Sequence, residues 1–471
     1  MHEPSFAAIH QPTALRAPGV APDGVRRLCY VALGAVTLWL ACVGADHIFW
    51  QHPDFEYFYK GGLWLAERGA LDPGYDLVNG RVEARGSLDW YWPIVPRVMS
   101  LLALLPFHAA GYLWLALNLV ALWAILRLLG RELVGLPPRD WPVTQLLPLV
   151  LLAPYWLWEF RLNQGDTLTL LLLVGSFSCW QHGRGLVAGF WLGLAVLLKL
   201  TPGLLVLWFA LKRQYRTVTV AVLTVALAGP LADAVVFGPT DAVAAYRGWL
   251  HRAVSTGSHR NLVLLQRETD WRNQGVGAVL SRWLHPTNYN YRFDNDPRIQ
   301  RDYVDYPPLT MNVVDLPLPA VAGIAVALLG GSLIGLVWLA RRPAAALTHW
   351  QLRCEWALCV LMMLWFMPVM RRYHMICALP AVAMLGAALH YSGFRGSWAR
   401  LALAGLGLSV AAHLALFSIH VEARGTILAA LVALALPLVV LLIRLGRRPA
   451  LLPEPYGAPP HPARPEVPAH A

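Results

Sequence analysis

Long apolar runs recur along this chain, and most approach the length of about 20 residues that a helix needs to cross a bilayer. Hydrophobic residues make up 57% of the sequence and charged residues only 14%, whereas a soluble domain usually has about 25% charged residues. The runs cover residues 28–48, 110–127, 143–159, 165–181, 186–211, 217–237, 318–340, 353–369, 374–391, 400–419 and 426–444. The sequence therefore predicts an all-α, polytopic membrane protein with about 11 to 13 transmembrane helices.

Two segments leave the helix count open. The run 186–211 carries Lys199 and Pro202 near its middle, so it forms either one long helix or two short helices that break there. Residues 92–107 contain three prolines, and they form either a full span or a re-entrant segment buried in protein.

Basic clusters predict the orientation, because lysine and arginine are enriched in cytoplasmic loops. The clusters lie at residues 26–27, 212–216, 341–342, 395–400 and 444–448. They place the large first loop (49–91), the loop 238–316 and the turns at 370–373 and 420–425 on the non-cytoplasmic side. The turn 160–166 also faces outward if 92–107 is re-entrant and 186–211 is broken, and its side reverses otherwise.

The predicted layout has three parts. Residues 1–27 form a disordered cytoplasmic N-terminus, residues 28–446 form the membrane domain, and residues 447–471 form a disordered, Pro-rich cytoplasmic tail. We expect a multi-pass protein of the plasma or inner membrane, in contact with the lipid bilayer. The net charge of +11 does not indicate a nucleic-acid partner, since the basic residues lie in short clusters between apolar runs. The six cysteines show no metal or disulfide spacing and are expected to be small core residues. No cluster of His, Cys and Asp has metal spacing and no nucleotide-binding glycine motif follows a strand, so we expect neither a metal nor a cofactor.

The first outer loop begins with acids, aromatics and a lysine next to the membrane. Its segment from Asp54 to Leu65 predicts a short amphipathic helix at the interface. Asp54 is the candidate catalytic base, and the alternative is that it caps the following helix. Asp46 and Glu56 are the rival bases.

Three further polar groups lie next to apolar runs. The segment Arg161–Asp166 has more polar groups than an inter-helix turn with Asp166 as N-cap needs. Lys199 is either a phosphate ligand or a snorkelling lysine. Arg371 and Arg372 lie at an outward turn and require an anionic partner, which is either substrate or a lipid headgroup. His374 is a hydrogen-bond donor, a proton shuttle or a packed helix-end residue.

The second outer loop contains Asn273, Gln274 and a run rich in tyrosine, asparagine and arginine at 288–306. Alternating rings and amides suit sugar binding, because rings stack on pyranose faces and amides bind hydroxyls. An interfacial aromatic belt is the alternative explanation of the rings.

Five segments together resemble glycosyltransferase family 87, the polyprenol-phosphate-mannose-dependent mannosyltransferases of GT-C architecture. These segments are Asp54–Gly69 with Tyr75-Asp76, Tyr91-Trp92-Pro93 with the apolar run to Pro106, Gly189–Pro202 with Lys199 and Thr201-Pro202, Asn273-Gln274 with Arg282, and Pro368 with His374. The chain departs from the family pattern at Asp166, Gly275 and Tyr373, where the family has Gln, Ser and His.

The resemblance implies an inverting transfer of a hexose from a polyprenyl-phosphate donor to a glycan or glycolipid acceptor at the outer face. Mannose is the sugar that the resemblance implies. Asp54 would take the acceptor proton, and cations would bind the donor phosphate. The expected phosphate ligands are Lys199, Arg371, Arg372 and His374, and the expected substrate contacts are Glu56, Tyr57, Tyr59, Tyr91, Asn163, Gln164, Asp166, Asn273 and Gln274.

Two other functions remain open at this stage. A transporter or flippase for lipid-linked sugars would show internal repeats and charges near the bilayer midplane. No clear repeat is present, and most polar clusters lie at helix ends. A GT-C transferase for another sugar, such as arabinofuranose, would share the same polar residues.

Overall fold

The computed structural model describes residues 22–50, 54–68, 75–78, 81–84, 92–135, 141–255, 271–289, 309–414, 418–448, 451–452 and 455. The fold is all-α, as predicted, with one short hairpin in which β1 (Tyr75–Val78) pairs antiparallel with β2 (Arg81–Ala84). The α-helices are α1 (Asp23–Trp50), α2 (Phe55–Arg68), α3 (Ile94–Leu102), α4 (Phe107–Leu129), α5 (Trp141–Leu151), α6 (Ala153–Leu162), α7 (Asp166–Gln181), α8 (Gly185–Leu198), α9 (Gly203–Leu211), α10 (Tyr215–Ala226), α11 (Ala232–Phe237), α12 (Pro239–Ser255), α13 (Val276–Leu284), α14 (Leu318–Ala340), α15 (His349–Trp365), α16 (Leu379–Tyr391), α17 (Gly396–Leu414), α18 (Ile419–Ala423) and α19 (Thr426–Arg447).

Six helices in the described part of the chain are long and apolar enough to cross a membrane. They are Asp23–Trp50, Phe107–Val134, Tyr215–Phe237, Leu318–Ala340, Arg372–Tyr391 and Thr426–Arg447. Several of them are composite, because π-helical turns extend α4 and join α10 to α11, and a 3₁₀ segment, Arg372–Ala378, precedes α16. The chain is thus a multi-pass membrane protein. The count of about 11 to 13 spans and the orientation stay predictions.

Prolines divide other apolar runs into short helices. The run 186–211 is broken, since α8 ends at Leu198 and α9 begins only after Pro202. The segment 92–107 contains only α3, a nine-residue helix that rises about 13 Å and is therefore too short to span a bilayer. The run 143–159 is also divided, with Pro154 in the first turn of α6. These breaks bring polar loop residues to the ends of buried helices.

Close helix packing explains two of the glycines in the family-like segments. A Cβ atom at Gly62 of α2 would collide with the backbone of Met99 in α3, so only glycine permits that contact. A Cβ atom at Gly189 of α8 would likewise meet the backbone of Thr217 in α10. Small residues at such contacts let membrane helices approach closely. The pairs α2–α3 and α8–α10 are positioned by these contacts.

The buried core centres on α15, most of whose side chains are inaccessible. A second apolar cluster beside it joins Phe55 and Phe58 of α2 to α3, α4 and Leu197 of α8. That cluster fixes the start of α2 near the ends of α6 and α8. Leu452, in the predicted tail, is buried in the main core. The domain boundaries stay predictions.

Candidate active site

The site is built around the turn between α6 and α7. Asn163 ends α6 with φ of 53°, a left-handed conformation that asparagine tolerates better than most residues. Its side-chain amide donates to the Gly111 carbonyl at 3.1 Å. The indole of Trp114 donates to the Asn163 carbonyl at 3.1 Å, and the amide of Asn118 donates to the Gln164 carbonyl at 3.0 Å. Because these partners all belong to α4, the turn is held rigidly against that helix.

Asp54 reaches this turn from the other side of the site. It directly precedes α2, and its Oδ2 accepts a hydrogen bond from Gln164 Nε2 at 2.5 Å. Burial raises the pKa of the Asp54 carboxyl above its usual range, although the Gln164 hydrogen bond and the charges of Arg371 and Arg272 act in the opposite direction. The backbone carbonyl of Asp54 accepts from the Tyr57 amide at 3.0 Å, as expected of the residue that precedes a helix, while its carboxylate accepts from Gln164.

The same turn supplies a buried ion cluster through Asp166, the first residue of α7. Lys199 Nζ donates to Asp166 Oδ1, and His374 Nε2 lies 3.7 Å from Asp166 Oδ2. The Arg371 backbone amide donates to His374 Nδ1 at 2.8 Å. A neutral imidazole has one donor nitrogen, so this bond places the proton on Nε2, facing the carboxylate. Lys199 occupies the break between α8 and α9 in extended conformation.

Glu159 is a buried site residue that the sequence analysis missed. Its Oε1 accepts from the Thr167 amide at 2.9 Å and from the Thr167 hydroxyl at 3.0 Å. These bonds satisfy a buried backbone donor in the first turn of α7, where the N-cap residue makes no side-chain hydrogen bond. A lone acid at the end of the apolar run 143–159 was the available signal, since such residues are costly in membranes without a partner.

Arg372 has an internal anionic partner. Its Nε donates to Glu422 Oε1 at 2.7 Å, and its Nη2 donates to Glu422 Oε2, so the pair is bidentate. The guanidinium carbon also lies 5.1 Å from the ring centroids of Trp158 and Trp271, within cation–π distance. These contacts anchor the segment that carries Arg371 and His374.

Asn273 and Gln274 hold the segment that carries Arg371 and His374 through hydrogen bonds to its neighbouring backbone and to Glu422. Asn273 Oδ1 accepts from the Met370 amide at 3.0 Å and from the Gly275 amide at 2.9 Å. Gln274 donates its backbone amide to the Met370 carbonyl at 2.8 Å and its side-chain amide to the Glu422 carbonyl at 3.0 Å. A Cβ atom at Gly275 would lie 2.6 Å from the Pro368 carbonyl, so a larger residue there would require this backbone to shift.

The other predicted contacts lie along α2 or beyond the described chain. Glu56 pairs with Lys60 at 2.6 Å, and Tyr57 is 49% exposed. The hydroxyl of Tyr59 donates to the Leu105 carbonyl at 2.8 Å. Tyr91 lies outside the described residues, as does the run 290–306.

The structure thus brings seven predicted residues to one turn: Asp54, Asn163, Gln164, Asp166, Lys199, Arg371 and His374. The turn thus joins a carboxylate whose pKa is raised by burial to a group of partly buried cations and hydrogen-bond donors. Such a pair suits proton removal at one atom and stabilisation of developing negative charge at another.

Comparison with known proteins yields one match. The family model of glycosyltransferase family 87 matches residues 90–294, and no curated protein and no solved structure matches the chain. The matched segment includes Gln164, Asp166, Lys199 and Asn273, whereas Asp54 and His374 lie outside it.

Proposed function

We propose that this protein transfers a hexose from a polyprenyl phosphate to an acceptor hydroxyl. Its resemblance to glycosyltransferase family 87 is confirmed, and that family indicates a membrane glycosyltransferase. Transfer occurs with inversion at the outer face of the cell membrane, and mannose is the sugar that the resemblance implies. The observation that supports this proposal most is the α6–α7 turn, which joins Asp54 through Gln164 to the Lys199–Asp166–His374 cluster.

Asp54 is the general base in this proposal. The acceptor oxygen attacks the anomeric carbon and loses its proton to the Asp54 carboxylate, while the bond from that carbon to the phosphate oxygen breaks. A base works best when its pKa lies near the operating pH, and burial raises the pKa of Asp54 in that direction. Gln164 holds the carboxylate in place through its 2.5 Å hydrogen bond.

The leaving group is polyprenyl phosphate, which gains negative charge as the bond breaks. We assign to Lys199, Arg371 and His374 the role of stabilising this negative charge. Cations and hydrogen-bond donors that are already in place need not reorganise as the charge develops. Asp166 keeps Lys199 and His374 in position. Arg372 is bonded to Glu422, so in the proposal it holds the segment beside the phosphate. No metal or cofactor takes part.

The test is release of bare lipid phosphate. Purified protein is incubated with a panel of polyprenyl-phosphate sugars and a glycan or glycolipid acceptor, and polyprenyl phosphate is quantified. We expect release with one sugar of the panel, and a loss of about 10²- to 10⁴-fold in Asp54→Asn, the range for a general base. Membrane insertion and elution volume in detergent should stay unchanged.

Asp315→Asn is the matched control, because Asp315 is an exposed acid of the second predicted outer loop and should release lipid phosphate at the unaltered rate. Retained turnover in Asp54→Asn would show that Asp54 is not the general base and would indicate Asp46 or Glu56 instead. Movement of lipid-linked sugar across vesicles without release would support a transporter instead.

A further inference from the structure

A groove beside α1 carries polar side chains near one end and apolar side chains further along the helix. It lies between α1 and α6 and has a volume of about 470 Å³. Its polar lining consists of Asp46, His47 and Arg161, and its apolar lining includes Trp39, Val43 and Leu157. None of these residues belongs to the cluster around Gln164.

The order follows the depth of the bilayer. Asp46 and His47 lie in the last turn of α1, beside Phe49 and Trp50, which are 55% and 73% exposed. Exposed aromatic residues at a span's end are typical of the headgroup level. Trp39 lies about two helical turns, or about 10 Å, deeper along α1. The groove is therefore polar at headgroup depth and apolar at acyl-chain depth, like a phospholipid.

The charges of the groove are of both signs. No ion pair joins Asp46 to Arg161 among the residues that the structure describes, so each charge is available to a ligand. The Arg161 guanidinium lies 5.1 Å from the ring centroid of Trp158. Stacking uses the face of a guanidinium and leaves its N–H edge for a phosphate.

From these observations we propose that the groove binds the headgroup of a zwitterionic phospholipid. The phosphate lies on Arg161 and His47, the ammonium lies on Asp46, and the acyl chains pass Val43 and Trp39. A zwitterion matches one carboxylate and one guanidinium, whereas a polyprenyl monophosphate would place up to two negative charges beside Asp46. Its lining residues differ from the donor phosphate ligands proposed above, although Arg161 and Arg372 both stack on Trp158, and its occupancy is measured without sugar transfer.

Native mass spectrometry of the full chain in detergent tests the proposal. The purified protein is titrated with phosphatidylethanolamine, phosphatidylglycerol and a polyprenyl monophosphate. We expect tightest binding of phosphatidylethanolamine, and at least a tenfold loss in Arg161→Gln, because a bidentate charged contact is removed. Asp46→Asn should weaken phosphatidylethanolamine binding severalfold and leave phosphatidylglycerol binding unchanged or stronger.

Arg341→Gln is the matched control, because Arg341 stacks on Trp338 at 4.5 Å away from the groove, and it should keep full binding. Cys42→Trp is a second variant, since Cys42 is an exposed residue of the groove lining and a large ring there fills the space without changing charge. It should abolish binding. Equal losses in Arg161→Gln and Arg341→Gln, full binding in Cys42→Trp, or a preference for polyprenyl monophosphate would each overturn the proposal.

Discussion

Replacing Gln164 by methionine removes one hydrogen-bond donor from the candidate base and keeps the length of the side chain. The donor lies 2.5 Å from Asp54 Oδ2, and a hydrogen bond to a charged group contributes about 1.5–3 kcal/mol. The ionised carboxylate gains more from this bond than the protonated acid does, because the acceptor is then charged. Its loss should raise the pKa of Asp54, which burial already raises.

The magnitude follows from linkage, since about 1.36 kcal/mol corresponds to one pKa unit. A base must be deprotonated to act, so activity falls as the pH drops below its pKa. The acidic limb of kcat/KM should therefore move upward by about one to two pH units in Gln164→Met. The assay measures the release of polyprenyl phosphate between pH 5 and 9. The plateau value of kcat/KM at high pH should be largely retained.

Gln145→Met is the control for loss of a buried amide. Gln145 donates to the Leu126 carbonyl at 3.0 Å, away from the turn at Gln164, and its substitution should leave the limb in place. A limb that stays fixed in Gln164→Met, or that moves to lower pH, would refute the role of this bond in setting the pKa of Asp54.

Three further outcomes are expected. Lys199→Ala should weaken donor binding about tenfold or more, measured by titration with polyprenyl-phosphate sugar; unchanged affinity would make it a snorkelling residue. Arg372→Gln should lower the free energy of unfolding by about 3–5 kcal/mol, because Glu422 stays buried without its partner, and adding Glu422→Gln should restore part of it. Gly62→Ala should lower the free energy of unfolding by about 1–3 kcal/mol, because the added methyl group overpacks the contact with α3. Gly34→Ala should leave it unchanged, because Gly34 borders open space.

Part of the site could be predicted because its residues violate the membrane pattern. Lys199 within an apolar run and two arginines at a turn that is predicted to face outward each required an explanation. The structure supplies Asp166 for the lysine and Glu422 for Arg372. The identity of those partners could not be predicted, since Asp166 and Glu422 are far from them in sequence and no local period connects them.

Glu159 is a second residue whose hydrogen-bond partner could not be predicted from the sequence. Its position at the end of an apolar run was visible, but its role depends on Thr167, across a turn whose left-handed residue, Asn163, could not be predicted. The contact between Asp54 and Gln164 likewise joins two segments that meet only because α2, α4 and α6 pack together.

The sequence by itself determined the properties that depend on neighbouring residues. Apolar runs predict an all-α membrane fold, because an unsatisfied backbone is too costly in lipid. Pro202 left the break after α8 open, and the structure shows it. Only the tertiary structure decided which charges pair, that Gln164 rather than another donor meets Asp54, and that Arg372 is anchored internally. The physical reason is that charge pairing depends on distances of a few ångströms between remote segments, and packing alone sets those distances.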